Sequence, residues 1–397
     1  MKATPPPLAL LIFIAMASPL ALNAFVPAMP DVAVALGTDI ATIQLTFTLY
    51  LLTLAIGQLI SGQLADYFGR RPVLLVGFGL HVAGSLLAAL ASTVEVLIAA
   101  RILQALGGST AMVLARTILL DVHGRSGAAG RMGYLVMAIA IAQAIAPAIG
   151  GFLNLWSGWN SIFYLSVIMG SLVWLVALIY LPETCETTRS ELKLAGMLKR
   201  YAQLLGSAQY TGYVLSTTAL AAAFYLFVGS SPYIVVDVLG GNSAQFGLWF
   251  LTVSFSFMAG SFISTRLAQV MSVDQMVLLG NSLALLGASM LLGFVLLSQL
   301  SYAGLFLPMA LVIFGRGLSQ PNAQLAAISC ASGSAGAASG MMGFIQLFAG
   351  ALIAQSVPYL LDISMNWVFS SILFATLMAL LAHFYSWQGN KKTMAAG

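Results

Sequence analysis

A chain of 397 residues that is 60% hydrophobic and only 7% charged has too little polar surface to cover a soluble globule. Its formal charge of +4 is spread over short loops rather than gathered on one face, which argues against a nucleic-acid partner and for membrane topology. Cys185 and Cys330 are far apart in sequence, so thiols are expected and not a disulfide framework.

Stretches of roughly 20 apolar residues cross about 30 Å at about 1.5 Å per residue. Twelve are found, near 8–29, 41–65, 73–91, 94–120, 132–153, 159–181, 208–231, 244–268, 275–298, 301–325, 337–358 and 366–387. The first has the look of a signal peptide, with Met1-Lys2 ahead of it and Ala15-Met16-Ala17 resembling a cleavage site. Its removal would break the even count, so it is read as a span.

Between the second and third spans lies Gly62-Gln-Leu-Ala-Asp66-Tyr-Phe-Gly69-Arg70-Arg71-Pro72, a dense cluster of charge and turn residues that reads as a tight hairpin at a membrane surface. Its arginines are expected to face the cytoplasm. With the amino terminus inside, Lys2, Arg70, Arg71, Arg125, Arg131, Arg189, Lys193, Lys199, Arg200, Arg266, Lys391 and Lys392 share that side, twelve of the fifteen basic residues. Asp31, Asp39, Glu95, Asp237 and Asp362 fall to the outer loops, and both termini are cytoplasmic.

The polar interval 182–207 separates residues 1–181, an amino-terminal bundle of six spans, from 208–397, a carboxy-terminal bundle of six. It reads as a cytoplasmic linker whose Leu192–Leu205 portion lies as a helix along the inner surface. Equal halves suggest an internal duplication, although Gly260–Ser272, the counterpart of the hairpin, keeps only Arg266 and a rough outline.

No carboxylate pair, metal-ligand cluster, nucleophile triad or phosphate loop occurs in the spans, so neither catalysis nor a cofactor or metal is expected. Three arginines stand inside spans: Arg101 and Arg116 in the fourth, Arg316 in the tenth. Each would cost at least about 2.5 to 3.5 kcal/mol facing lipid, so each is expected to face protein or a wet cavity. Helical spacing places Arg101, Gln104, Gly108, Met112 and Ala115 on one face, read here as a cavity wall. In the fifth span, Ala142-Gln143 through Ala146-Pro147 to Gly150-Gly151 joins a helix-bending proline to small residues that admit a neighbouring helix.

Together these motifs resemble the major facilitator superfamily. Gly62–Pro72 matches its G-x-L-a-D-x-x-G-R-[RK] loop, Arg101–Gly108 is similar to its fourth-span R-x-x-Q-x-x-G pattern, and Ala142–Gly151 resembles the antiporter x-P-x-x-G-G motif. Thr42–Tyr50, Gly57–Leu59, Arg70–Leu74, Arg101–Gln104 and Leu181-Pro-Glu-Thr184 look like the bicyclomycin and chloramphenicol resistance branch of drug:proton antiporters.

The resemblance implies an all-α integral membrane protein of the bacterial inner membrane: twelve helices in two six-helix bundles around a central cavity, alternating its access as a monomer and binding a small-molecule substrate. Gly62, Asp66, Gly69, Arg70, Arg71 and Asp121, with Pro147, Gly150 and Gly151, are then conformational residues, Arg70 pairing with Asp121 when the inner side closes.

The chain departs from that branch where Asn23 replaces a first-span acid and Ala105 a glycine. None of its eleven carboxylates lies in the middle of a span. Asp31, Asp66, Asp121 and His81 are the candidates for proton coupling, Asp31 first; an unperturbed imidazole suits that task, but His81 is expected to be structural. Arginines without intramembrane acids disfavour lipophilic cations and favour neutral or anionic amphipathic cargo of the phenicol kind. Asn23, Phe25, Arg101, Gln104, Met112, Gln143, Phe224, Tyr225, Arg316 and Gln346 are the expected cavity residues, with Trp249 and Phe344 as further apolar wall.

Overall fold

The computed structural model describes residues 5–185, 201–330 and 335–396. Among them, twelve helices are long and apolar enough to cross a bilayer: Leu8–Ala35, Ile40–Phe68, Arg70–Ala89, Val94–Gly124, Arg131–Ser157, Asn160–Tyr180, Ala208–Val238, Ser243–Leu267, Val273–Leu296, Tyr302–Ser329, Ala337–Ile363 and Met365–Trp387. They are called the first to twelfth spans in that order. In lipid only a helix satisfies its own backbone, so an apolar run of this length has one outcome.

Polar residues at the ends mark where helices begin. Asp39 Oδ1 accepts from Thr42 N at 2.6 Å at the start of the second span. Ser272 and Gln275 form a reciprocal capping box before the ninth, and Ser301 Oγ accepts from Gly304 N at 3.1 Å before the tenth. The fourth and fifth spans run on from one another through a break at Gly124, whose φ of 64° lies in the left-handed region.

The first and seventh spans run furthest past the bounds expected from the sequence. The first passes Pro27 and Pro30 through a 3-10 turn at Val26–Ala28 and ends at Ala35; the seventh passes Pro232 through a π turn at Ile234–Val238. Pro27 and Pro30 sit in the opening turn of the next segment, where a missing N–H leaves no ladder bond unmade. Asp31 and Asp237 therefore belong to the closing turns of spans and not to outer loops.

The chain divides into two compact units, Met1–Leu192 with Asn242–Gly247, and Lys193–Gly241 with Leu248–Gly397. Residues 186–200, with most of the surface helix expected from Leu192, lie outside the described residues, as do Lys2 and the side chains of Arg125, Lys391 and Lys392.

Within each unit the third and fourth spans meet through glycine. A Cβ at Gly84 would fall on the backbone of Ala100 and Gln104, and one at Gly107 on Gly77 O and His81 N. In the second unit, Gly280 and Gly315 meet across the ninth and tenth spans, and Gly287 rests on Pro308 O. Lipid tails are as apolar as leucine, so close backbone approach and dispersion hold such helices together. The same device recurs at corresponding places in the two units.

Gly107→Ala should therefore lower the thermal unfolding temperature in detergent, with an overpacking cost of about 1 to 3 kcal/mol. At Gly62 a Cβ would meet nothing within 4 Å. Gly62→Ala should leave that temperature unchanged or raise it, helix propensity favouring alanine by about 1 kcal/mol.

Candidate functional site

At one end of the first unit the chain turns from the second span into the third at Gly69, with φ of 97°. A side chain there would be strained and would strike the Glu183 carboxylate. Glu183 Oε1 accepts from Arg70 N at 2.9 Å and Oε2 from Arg71 N at 3.1 Å, which satisfies the opening N–H groups of the third span and sets a negative charge at its positive end. Arg71 donates onward to Leu178 O at 2.8 Å. The third span thus begins locked to the end of the sixth.

The Arg70 guanidinium bridges two carboxylates. It donates through NH1 to Asp66 Oδ1 and through Nε to Asp121 Oδ2 at 3.0 Å. The side chains of Arg70, Asp66 and Asp121 are 11%, 49% and 26% exposed. The Asp66 pair is open enough to be worth at most about 1 kcal/mol, whereas the better-covered Asp121 pair is less screened. Arg116 is exposed and stands outside this network.

Arg101 is wholly buried inside the first unit. NH1 donates to Gln104 Oε1 at 2.6 Å and to Ala21 O at 3.2 Å, while Nε and NH2 have no hydrogen-bond partner. Three rings surround the guanidinium, Tyr50, Phe25 and Phe163, with centroids 4.1, 4.9 and 5.7 Å from its central carbon. Desolvated contacts of this kind are worth about 2 kcal/mol each or more, and they substitute for a counter-ion.

Gln104 passes the chain of bonds to Ser85 Oγ at 2.7 Å, and Tyr50 OH meets Ser18 Oγ at 2.9 Å. His81 is buried with Nδ1 3.0 Å from Gln104 O, tying the third span to the fourth.

The face expected to wall a cavity is instead interior packing. Arg101, Gln104 and Ala115 are fully covered, and Gly108 lets Ser18 of the first span approach. Phe25 is likewise wholly buried. Asn23 is 7% exposed and turns its amide back to Pro19 O at 2.8 Å. Met112, which Gln58 Nε2 approaches at 3.8 Å, is only half-buried, and Gln143 is exposed.

In the second unit Arg316 is half-buried. Its Nε donates to Gln320 Oε1 at 2.8 Å, and its central carbon lies 5.1 Å from the Phe224 ring centroid and 5.9 Å from that of Phe257. Phe224 and Tyr225 are in edge contact at 5.6 Å and both partly exposed; Gln346 donates to Thr217 Oγ1 at 3.0 Å. Trp249 stacks on Tyr302 and Phe306, and Phe344 on Phe348. Among the described residues, no ion pair joins Arg101 or Arg316 to a carboxylate.

Asp31 is exposed at the far end of the first span, where its carboxylate accepts from Asn154. Asn154 Nδ2 also donates to Ser243 Oγ at 3.0 Å, and Ser243 in turn to Gly151 O at 3.1 Å. Gly150 lies on the Ala24 carbonyl and Gly151 on the Ser243 backbone, while Pro147 O touches Gly247. The proline-glycine segment is therefore a contact surface on two sides.

Glu183, Tyr50, Phe163, Phe257 and Gln320 complete these clusters and were absent from the expected site. Only Glu183, in Leu181-Pro-Glu-Thr184, and Tyr50, at the end of Thr42–Tyr50, lay in stretches that carried a signal. Glu183→Ala should cost about 1 to 2 kcal/mol of stability by leaving the Arg70 and Arg71 amides without an acceptor, and Glu183→Gln less, both read by thermal unfolding. An unchanged midpoint for Glu183→Ala would remove the cap from the account.

The family model described as Major Facilitator Superfamily matches residues 11–354. The chain is 31% identical to the chloramphenicol resistance protein of Pseudomonas aeruginosa over 85% of its length and 81% of that protein. It is 27% identical to multidrug resistance protein D of Escherichia coli over 88% of its length and 87% of that protein. A D-xylose–proton symporter superposes with a TM-score of 0.76 at 14% identity, covering 96% of both chains. A peptide transporter superposes with a TM-score of 0.79 at 16% identity over 97% of this chain and 95% of that one. Twelve apolar helices, the Asp66–Arg70–Asp121 hairpin and these matches carry one conclusion: the chain is a multi-pass transporter, not an enzyme, and belongs to the major facilitator superfamily, among its drug-resistance transporters of the bicyclomycin and chloramphenicol type.

Proposed function

We propose that the protein exports small amphipathic compounds, neutral or anionic and phenicol-like, across the bacterial inner membrane in exchange for protons, with both termini cytoplasmic. The observation that carries this reading is the pair of span arginines, Arg101 and Arg316, with no carboxylate paired to either among the described residues. Uncompensated positive charge repels lipophilic cations and attracts carbonyl, nitro or carboxylate groups. The printed name of the Pseudomonas relative supports the phenicol class.

Partly exposed Arg316, Phe224, Tyr225, Gln346, Met112 and Gln143 are the residues that meet cargo in this reading. Phe25, Arg101, Gln104 and Asn23 act behind them, fixing the spans from within. Gly62, Asp66, Gly69, Arg70, Arg71 and Asp121 form the inner gate, and Pro147, Gly150 and Gly151 a second movable contact.

Asp31 is the leading proton carrier. A proton on its carboxylate removes an acceptor from Asn154, and so loosens the link between the first and fifth spans. Asp66 and Asp121 come next, because protonation there competes with the Arg70 pairs; buried His81 comes last. A second reading, an uncoupled facilitator, draws on Asn23, a side chain without a titrating proton whose amide is spent on its own helix.

Cells stripped of their own exporters and expressing the protein should accumulate less chloramphenicol and the usual amount of ethidium. Arg316→Gln should weaken the phenicol effect several-fold at equal expression. Strong ethidium export with no effect on neutral drugs would contradict the proposal.

A further inference from the structure

The second unit holds an open groove of about 710 Å³, lined by the seventh, eleventh and twelfth spans. Thr218, Ala219 and Ala222 line one side, Ile353 another, and Phe374 and Met378 the third. Its volume lies within the range of about 300 to 1,000 Å³ typical of small-molecule sites. None of the lining residues is charged, and the side chains of Leu215, Phe374 and Leu381 at its rim are exposed. Arg316, Phe224, Tyr225 and Gln346 are not part of it.

One polar group in the wall is left over. Thr218 is 8% exposed and its hydroxyl has no hydrogen-bond partner. The neighbouring Thr217 hydroxyl, by contrast, donates to its own helix at 3.0 and 3.1 Å and accepts from Gln346. A threonine in a helix ordinarily bonds back to the preceding turn, and a buried hydroxyl left unpaired is destabilising. A ligand with a hydrogen-bonding atom at that depth recovers the cost.

We propose that this groove is a binding site for a compact neutral amphiphile bearing a carbonyl or similar acceptor, which reaches it through the bilayer-facing rim. The absence of lining charge disfavours cations and anions alike, because a buried charge without a partner is expensive. An acyl chain would fill the volume but would bring only methylenes to Thr218 and leave its hydroxyl unpaired. Alanines at Ala219, Ala222, Ala375 and Ala382 hold the space open where larger side chains would close it.

The inference builds on neutral amphiphiles as the cargo class, and its test reads binding without transport so that the two can fail separately. Benzophenone, a neutral aromatic ketone that couples to nearby C–H bonds on irradiation, is the probe for the full-length protein in nanodiscs, and mass spectrometry maps the labelled peptides. Saturable labelling around Met378, suppressed by excess diphenyl sulfoxide, is the expected result.

Thr218→Val removes only the unpaired hydroxyl, so it should fold as well as the parent while labelling falls about fivefold, one hydrogen bond's worth. Ala219→Phe, which fills the groove, should abolish saturable labelling. Labelling that does not saturate, or that ignores both substitutions, overturns the proposal. So does a phospholipid retained by the parent in native mass spectrometry and lost from Ala219→Phe. Labelling as expected alongside absent phenicol export would overturn the cargo assignment alone.

Discussion

A guanidinium inside a membrane span with no carboxylate beside it must be solvated by the protein itself. Arg101 is solvated by three aromatic rings, a backbone carbonyl and a glutamine. These come from the first, second, fourth and sixth spans, so one buried charge ties together most of its unit. Arg316 repeats the arrangement in looser form, with Phe224 from the seventh span, Phe257 from the eighth and Gln320 one turn on. The first unit closes its cage, whereas the second leaves its arginine half-open, the better placed of the two for a ligand.

The hairpin at Gly69 works by a different balance. Glu183 fixes the start of the third span to the end of the sixth through two backbone amides. Arg70 holds Asp66 and Asp121 through side chains that are partly wet. A cap beside a soft ion-pair cluster would suit the gate proposed here, because the exposed pairs can be exchanged for water at small cost.

Much of the fold was legible because the bilayer leaves little choice: long apolar runs become helices, and the charged hairpin marks a surface. The first and seventh spans were placed too short, because a 3-10 turn at Val26–Ala28 and a π turn at Ile234–Val238 carry the helices past Pro27 and Pro232. On the fourth-span face expected to wall a cavity, Arg101, Gln104 and Ala115 are covered while Met112 is half-buried. Periodicity says which residues share a face; whether that face meets water or another helix depends on a glycine such as Gly108 admitting Ser18. Glu183 and the aromatic cage come from distant parts of the chain, and no local pattern joins them. The groove beside Thr218 was invisible for the same reason, being defined by where alanines of the seventh and twelfth spans face one another.

The central claim is that a transporter with no carboxylate in the middle of a span still couples export to protons through groups at the span ends. Purified protein in liposomes under an imposed pH gradient, with chloramphenicol movement followed with and without an uncoupler, tests it most directly. Uphill movement that collapses with the gradient is the result expected, and it should be lost in Asp31→Asn. Saturable movement indifferent to the gradient would contradict the claim and leave a facilitator in which Asn23 stands where a coupling acid is missing.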